Sequence, residues 1–231
     1  MKAESRNEAG CSCEGRLETG SNRGARSDAS LKRADENGAV SLLAEVLERQ
    51  NLNRAYKRVK KNGGGPGIDG MTTDELPEYL KSNGGELVAG ISQGSYRPQP
   101  VRRVEILKPD GGIRELGAPT VVDRVIQLAT AQVLEPIFEP EFSNGSYGFR
   151  TGRNAHQATR KAREYCDEGY SEVVDIDLAK YFDTISHDPL INMPREKVKD
   201  EQLISLIRKC LKSGVMAGGI YSPTIEGSTQ G

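Results

Sequence analysis

The run Glu172-Val173-Val174-Asp175-Ile176-Asp177 limits the fold of this chain more than any other stretch. Its β-branched content predicts a strand. Directly after it, Leu178-Ala179-Lys180-Tyr181-Phe182-Asp183 turns into a helix, which places the strand's last acid at a sheet edge, exposed and fixed. Side chains alternate along a strand, so Asp175 and Asp177 project together while Val174 and Ile176 turn to a core. Two carboxylates that project together repel unless a cation lies between them, and hard Mg²⁺ suits such oxygen donors. A second reading of the same residues is a strand-end Asp that caps the following helix. An Asp-x-Asp pattern alone does not separate the two.

Around that strand the pattern is mostly helical. Apolar residues three and four apart (Leu42, Leu43, Val46, Leu47, Leu52, Ala55, Tyr56, Val59) predict an amphipathic helix. Its end is basic, Lys57-Arg58-Val59-Lys60-Lys61, which suits the helix macrodipole, and the glycines of Asn62-Gly63-Gly64-Gly65-Pro66-Gly67 stop it. A turn at 68–72 leads to a short helix over 73–82 and a second over 85–92. Residues 99–107 read as a strand, Pro109-Asp110-Gly111-Gly112 as a tight turn, and Ile113-Arg114-Glu115-Leu116 as the return strand. The product is a β-hairpin with Lys108 and Arg114 at its tip. A long buried helix follows over 120–138, entered from Pro119-Thr120 and closed by Pro136 and Pro140. Further helices are expected over 154–168, 187–192 and 200–213.

Composition narrows the function classes. The formal net charge is -1, so a phosphate-binding surface would have to be local. Arg54, Lys57, Arg58, Lys60 and Lys61 cluster in one segment, and Arg97, Arg102, Arg103, Lys108 and Arg114 in another. A basic helix end followed by a basic hairpin could track a phosphate backbone; the alternative is a solvated basic face. Residues 1–38 are rich in Gly, Ser, Arg, Glu and Asn and carry too little apolar surface to offset ordering, which predicts a disordered leader. No apolar run is long enough to span a membrane and the N-terminus has no secretory pattern. Cys11-Ser12-Cys13 has the wrong gap for a zinc pair, so four reduced thiols and a cytoplasmic location are expected.

Several ordered blocks resemble one family. Asp177, followed five residues later by Phe182 and then Asp183, resembles the first catalytic block of reverse transcriptases. The stretch Tyr96-Arg97-Pro98-Gln99-Pro100-Val101-Arg102-Arg103-Val104, then Lys108-Pro109, Arg114, Leu116-Gly117, Pro119-Thr120, Asp123-Arg124 and Gln127, resembles the fingers of group II intron reverse transcriptases. Ser146-Tyr147-Gly148-Phe149-Arg150 with Gly152-Arg153 and His156 resembles the next block. Residues 51–59 and Gly67-Ile68-Asp69-Gly70 resemble the family's N-terminal extension. The likeness runs from about residue 40 to residue 231.

The resemblance implies an α+β fold, the fingers and incomplete palm of a right-hand polymerase, helix-rich with a fingers β-hairpin. It divides the chain into the leader 1–38, the N-terminal extension 39–95, the fingers 96–170 and a partial palm 171–231. It implies that Asp177 is a catalytic, metal-binding carboxylate with the Leu178 carbonyl as a second ligand, in a site that takes two Mg²⁺ ions when complete. Lys108 and Arg114 would hold the triphosphate of a dNTP. Phe182 would lie under its sugar and exclude a 2′-hydroxyl, and Gln230 would shape the nucleotide pocket, although Thr229 stands where the family usually has Pro. Taken from the side chains alone, Lys108 and Arg114 are also consistent with solvated hairpin charges, and Phe182 with core packing. His187, His156 and Asp183 are expected to be structural, and Asp123-Arg124 an ion pair or cap.

The implied activity is RNA-directed DNA synthesis on an RNA template with a DNA primer, with group II intron RNA as a partner. The chain has no Asp-Asp pair, while the family carries its other catalytic acids in an aromatic-Ala-Asp-Asp hairpin farther along. The 231-residue polypeptide alone is therefore expected not to polymerise. The alternative is a non-catalytic RNA-binding fragment that assists intron splicing. A remnant with an unpaired palm edge is a third expectation, and a homodimer through exposed palm surface a fourth.

Overall fold

The computed structural model describes residues 41–109 and 111–228. The leader, Cys11, Cys13 and Gln230 lie outside the described residues. The amphipathic run at the start forms two helices, α1 (Leu42–Val46) and α2 (Arg49–Asn62), broken at Leu47-Glu48. The break lets Leu43, Val46 and Leu47 reach the core from a different direction than Ala55 and Val59. Asn51 holds the corner: its Nδ2 donates to the carbonyls of Val46 and Ala129, both at 3.0 Å. The two short helices expected over 73–92 are one, α3 (Leu76–Ser92), running through Gly84 and Gly85. Leu76 and Ile91 are buried near its two ends, and this packing outweighs the roughly 1 kcal/mol a helical glycine costs.

The hairpin forms as expected, from β1 (Val101–Leu107) and β2 (Ile113–Ala118), paired antiparallel with Leu107 opposite Ile113 and Arg102 opposite Ala118. Then comes α4 (Val121–Phe138), whose Val121, Val122, Val125, Ile126 and Ala129 are buried. Thr120 caps it by accepting from the Asp123 amide at 3.1 Å. Pro136 lies inside this helix, and a short 3₁₀ turn, Glu139–Glu141, follows. Helix α5 (Ala155–Asp167) opens on a capping box of Asn154 and Gln157.

Residues 171–178 form no strand, and every one of them is exposed. Val174 and Ile176 are 83% and 81% exposed, where the sequence pattern directs them to a core. A strand exists only through its neighbours, and among the described residues none pairs with this segment. Beyond it lie the single turn α6 (Tyr181–Thr184), then α7 (His187–Val198) and α8 (Glu201–Leu211). The Gly-rich stretch after α8 contains a second hairpin that the sequence pattern does not announce, β3 (Val215–Ala217) and β4 (Ile220–Ser222). Strand β3 runs parallel to β1, so the sheet order is β2-β1-β3-β4.

The core lies among α1, α2, α3, α4, α7 and α8. Asp200 joins two of these helices. Its carboxylate caps α8 through the Leu203 amide at 3.0 Å and accepts from the Leu43 amide at 2.9 Å and the Ser41 hydroxyl at 2.7 Å. Burial pushes its pKa up, but the Leu43 and Leu203 amides and the Ser41 hydroxyl outweigh that and hold it below the usual carboxylate value.

Candidate functional site

A cleft of about 310 Å³ opens where the two hairpins meet α6. Arg103, Glu115 and Gly117 line it from the first hairpin, Phe182 and Asp183 from α6, and Gly227 from the last described segment. Blocks more than 120 residues apart in sequence thus face one space.

Each wall has a local cause. The first hairpin closes through Lys108, whose amide donates to the Gly112 carbonyl at 2.7 Å while its carbonyl accepts from the Gly111 amide at 3.0 Å. Gly111 has φ +83, a conformation that a side chain would strain. Arg103 and Glu115 form an ion pair across the hairpin at 2.9 Å. Lys108 is exposed beside the turn, and Arg114, also exposed, stands opposite Ile106. Parallel pairing of Val101 with Val215 brings β3 alongside, and the Val101 amide bonds the Gly214 carbonyl at 2.9 Å.

Helix α6 begins from Lys180 in the left-handed region (φ 52), and the Asp183 and Thr184 amides return to its carbonyl. Against this turn lies the segment 226–228. Glu226 bridges antiparallel to Ser186, the Gly227 amide donates to the Ile185 carbonyl at 2.8 Å, and the Ser228 amide donates to the Phe182 carbonyl at 2.7 Å. Gly227 has φ +81, and a Cβ there would stand 2.7 Å from the Asp183 carbonyl oxygen and 3.0 Å from that of Phe182. Only glycine permits so close an approach.

Of the residues singled out in the sequence, Arg103, Leu116, Gly117, Phe182 and Asp183 line the cleft. Phe182 is half-exposed and stacks edge-to-face on Tyr181, so it is not core. Asp177 and Leu178 lie in the exposed segment before α6 and do not line the cleft; the Asp177 carboxylate accepts from the Leu178 amide at 2.9 Å. A carboxylate and a neighbouring backbone carbonyl are the hard oxygen donors that Mg²⁺ takes. Among the described residues no three His, Cys, Asp or Glu side chains gather as a metal site, so these donors fit part of a coordination shell only.

The basic residues divide. Lys57, Lys60 and Lys61 are exposed on α2 away from its buried Asn51, Ala55 and Val59, Arg58 is exposed at the flank of that face, and Arg54 donates to Asn51. Arg97 is exposed and Arg102 half-buried. Asp123 and Arg124 are a cap and a clasp, not an ion pair with each other. Asp123, 2% exposed, accepts from the Thr120 and Tyr96 hydroxyls and the Gln99 amide. Burial raises its pKa against those donors and drives the Tyr96 hydroxyl's pKa far up as well. Arg124 donates to the carbonyls of Pro119, Gly63 and Gly65, fastening the glycine loop. Arg150, in the Ser146–Arg150 block, pairs with Glu139 at 2.7 Å and stands over Phe142.

The resemblance places Gly227 and Ser228 in the block with Gln230 that shapes the nucleotide pocket, but it gives no sign of their close approach to Phe182 and Asp183. His187, expected as a helix-start hydrogen-bonder, bonds across the fold instead: its Nε2 reaches the Gly227 carbonyl forty positions away.

Residues 106–231 match the reverse transcriptase (RNA-dependent DNA polymerase) family. Protein YkfC of Escherichia coli (strain K12) is 36% identical over 170 residues, covering 72% of this chain and 45% of its own length. The Group II intron-encoded protein LtrA of Lactococcus lactis subsp. cremoris is 35% identical over 179 residues, covering 77% of this chain and 29% of its own. The chain thus spans less than half the length of these relatives. A Cas6-RT-Cas1--Cas2 complex contains a chain that superposes with a TM-score of 0.54 at 20% identity, over 84% of this chain and 20% of that one, a likeness of fold. No helix among the described residues is long and apolar enough to cross a membrane.

Proposed function

Because the chain belongs to the reverse transcriptase (RNA-dependent DNA polymerase) family, in the branch encoded by group II introns, we propose that its cleft receives the sugar and base of a dNTP during RNA-templated DNA synthesis. The observation that carries this is the convergence of the first hairpin, Phe182 and Gly227 on one space. In the reaction a primer 3′-hydroxyl attacks the α-phosphate and pyrophosphate leaves. Phe182 underlies the deoxyribose and leaves no room for a 2′-hydroxyl. Lys108 and Arg114, exposed at and beside the hairpin turn, hold the triphosphate through charge-assisted contacts. Asp177 and the Leu178 carbonyl would hold Mg²⁺, with the remaining ligands of a two-ion site coming from outside the described residues. A bound divalent metal would supply charge neutralisation during the transfer. Glu115, Asp183 and Glu226 around the cleft outnumber Arg103, which favours a neutral sugar and base there over bare phosphate.

RNA is the template and, through the exposed cations of α2, the second partner. Those lysines and arginines point away from the core and have the phosphate-tracking chemistry such a contact needs. The domain limits at residues 38, 95 and 170 belong to the same proposal.

The test is equilibrium binding of dATP and ATP to the purified chain with Mg²⁺. Binding that prefers dATP, with the preference abolished in Phe182→Ala and overall affinity lowered in Lys108→Ala and Arg114→Ala, is the expected result. Equal binding of both nucleotides by the unsubstituted chain would refute the assignment of Phe182.

A further inference from the structure

His187 is 4% exposed, and its side chain spans from the start of α7 to the segment behind Phe182. The Gly227 carbonyl can only accept, so the imidazole Nε2–H donates to it, at 2.7 Å. Nδ1 is enclosed and has no hydrogen-bond partner among the described residues. An imidazole buried with one nitrogen unsatisfied is retained at a cost, and the bond that the other nitrogen makes offsets it.

That bond closes a short relay. Gly227 is pinned on one side by its amide on the Ile185 carbonyl and on the other by His187 on its own carbonyl. The peptide between Gly227 and Ser228 therefore has a fixed plane, because its carbonyl and the Ser228 amide belong to one rigid unit. The Ser228 amide then holds the Phe182 carbonyl at 2.7 Å. Phe182 belongs to a four-residue turn with no buried residue, closed by the Asp183 and Thr184 amides on the Lys180 carbonyl. Phe182 as a whole is also 45% exposed, too exposed for packing alone to fix it.

We propose that His187 is a positioning residue for sugar selection: through the Gly227–Ser228 peptide it fixes the backbone of Phe182, and so the depth of the cleft beneath the nucleotide sugar. The proposal rests on the assignment of Phe182 to the sugar. His187 itself touches no nucleotide. Its loss widens the range of Phe182 positions, so a 2′-hydroxyl is excluded less sharply while dNTP binding itself changes less.

Two substitutions separate this from a general loss of stability. His187→Phe keeps an aromatic ring but removes the donor, leaving the Gly227 carbonyl buried without a partner. His187→Gln returns an N–H donor at about the reach of Nε2. Two quantities are read: amide hydrogen exchange at Ser228, and the ratio of dATP to ATP affinity in the presence of Mg²⁺, with Phe182→Ala as reference. The expectation is that His187→Phe speeds Ser228 exchange and lowers the dATP preference by about five- to tenfold, as loss of one buried hydrogen bond allows. His187→Gln should restore most of both. If Phe182→Ala abolishes the preference while His187→Phe leaves it intact, the positioning role is wrong and the sugar assignment stands. If the unsubstituted chain has no preference, the sugar assignment fails and this role falls with it. A His187→Gln protein that behaves like His187→Phe would also overturn the role of the donated hydrogen bond.

Discussion

Replacing Gly227 with Ala tests whether the segment behind Phe182 is held by contact as close as the geometry demands. At φ +81 an alanine carries strain of about 1–2 kcal/mol. Its Cβ would also stand 2.7 Å from the Asp183 carbonyl oxygen and 3.0 Å from the Asp183 carbon and the Phe182 oxygen. These are backbone atoms and cannot rotate aside, so overpacking adds about 1–3 kcal/mol. Opposing release are two backbone hydrogen bonds and the His187 contact, each contributing about 0.5–1.5 kcal/mol. The two sides are of similar size, with the clash at least equal. The segment 226–228 should therefore detach locally while the helical core, which it does not enter, stays folded. Hydrogen exchange resolved at Gly227 and Ser228 should show lost protection, with exchange in α4 unchanged. Gly218→Ala is the control: its φ is +56 but nothing lies within 4 Å of its Cβ, so only the strain remains. Unaltered Ser228 exchange in Gly227→Ala would refute the packing argument.

Gly67→Ala sets a Cβ 2.5 Å from the Thr120 Cα, backbone against backbone at the start of α4. A cost of about 2–3 kcal/mol should lower the thermal midpoint by roughly 4–12 °C, read by circular dichroism. Asp200 has a folded pKa below its unfolded one, so its stabilisation is complete above the unfolded value near 3.9 and is lost as pH falls through the folded value. Asp200→Asn leaves one acceptor oxygen and sets an NH₂ against the Ser41 hydroxyl or the Leu43 amide, so it should lower stability by about 1–3 kcal/mol and flatten the acid limb of a urea-midpoint profile. Asp123 has the opposite sign: its raised pKa gives stability that is complete below the unfolded value and lost as pH rises through the folded one. Changing Lys57, Lys60 and Lys61 together to Ala should reduce the slope of log affinity against log salt for structured RNA by about 2–3, since each phosphate left without its lysine removes just under one unit of slope. An unchanged slope would remove α2 from the RNA surface.

What the sequence made legible follows from how local each signal is. The two strands flanking Pro109–Gly112, the helix entered from Pro119-Thr120 and the helix starting near Asn154 are written within a few residues, and each forms as read. The cap alternative for Asp123 also holds, because Thr120 stands three residues before it. Where the outcome depends on distant partners, local pattern fails. Val173, Val174 and Ile176 have strand chemistry but no neighbouring strand among the described residues, so the segment forms no strand and stays exposed. Gly84-Gly85 looks like a helix break, yet tertiary burial of Leu76 and Ile91 carries α3 through it. The break between α1 and α2 runs the other way: apolar spacing continues, but Asn51 bonds Val46 and Ala129 across a corner. At the site, the motif position of Phe182 is legible, whereas Arg103, read as an RNA-facing cation, stands in the cleft wall paired with Glu115. The Gly227 approach and its His187 hydrogen bond are not legible, since partners forty residues apart leave no periodicity to read.

The most direct measurement of the central claim is photo-crosslinking of an azido-dUTP to the purified chain with Mg²⁺, followed by peptide mapping. The account predicts adducts on the cleft walls, in the peptides containing Leu116-Gly117 and Phe182, suppressed by excess dTTP and less so by UTP. Adducts confined to other surfaces, or competed equally by dTTP and UTP, would contradict it.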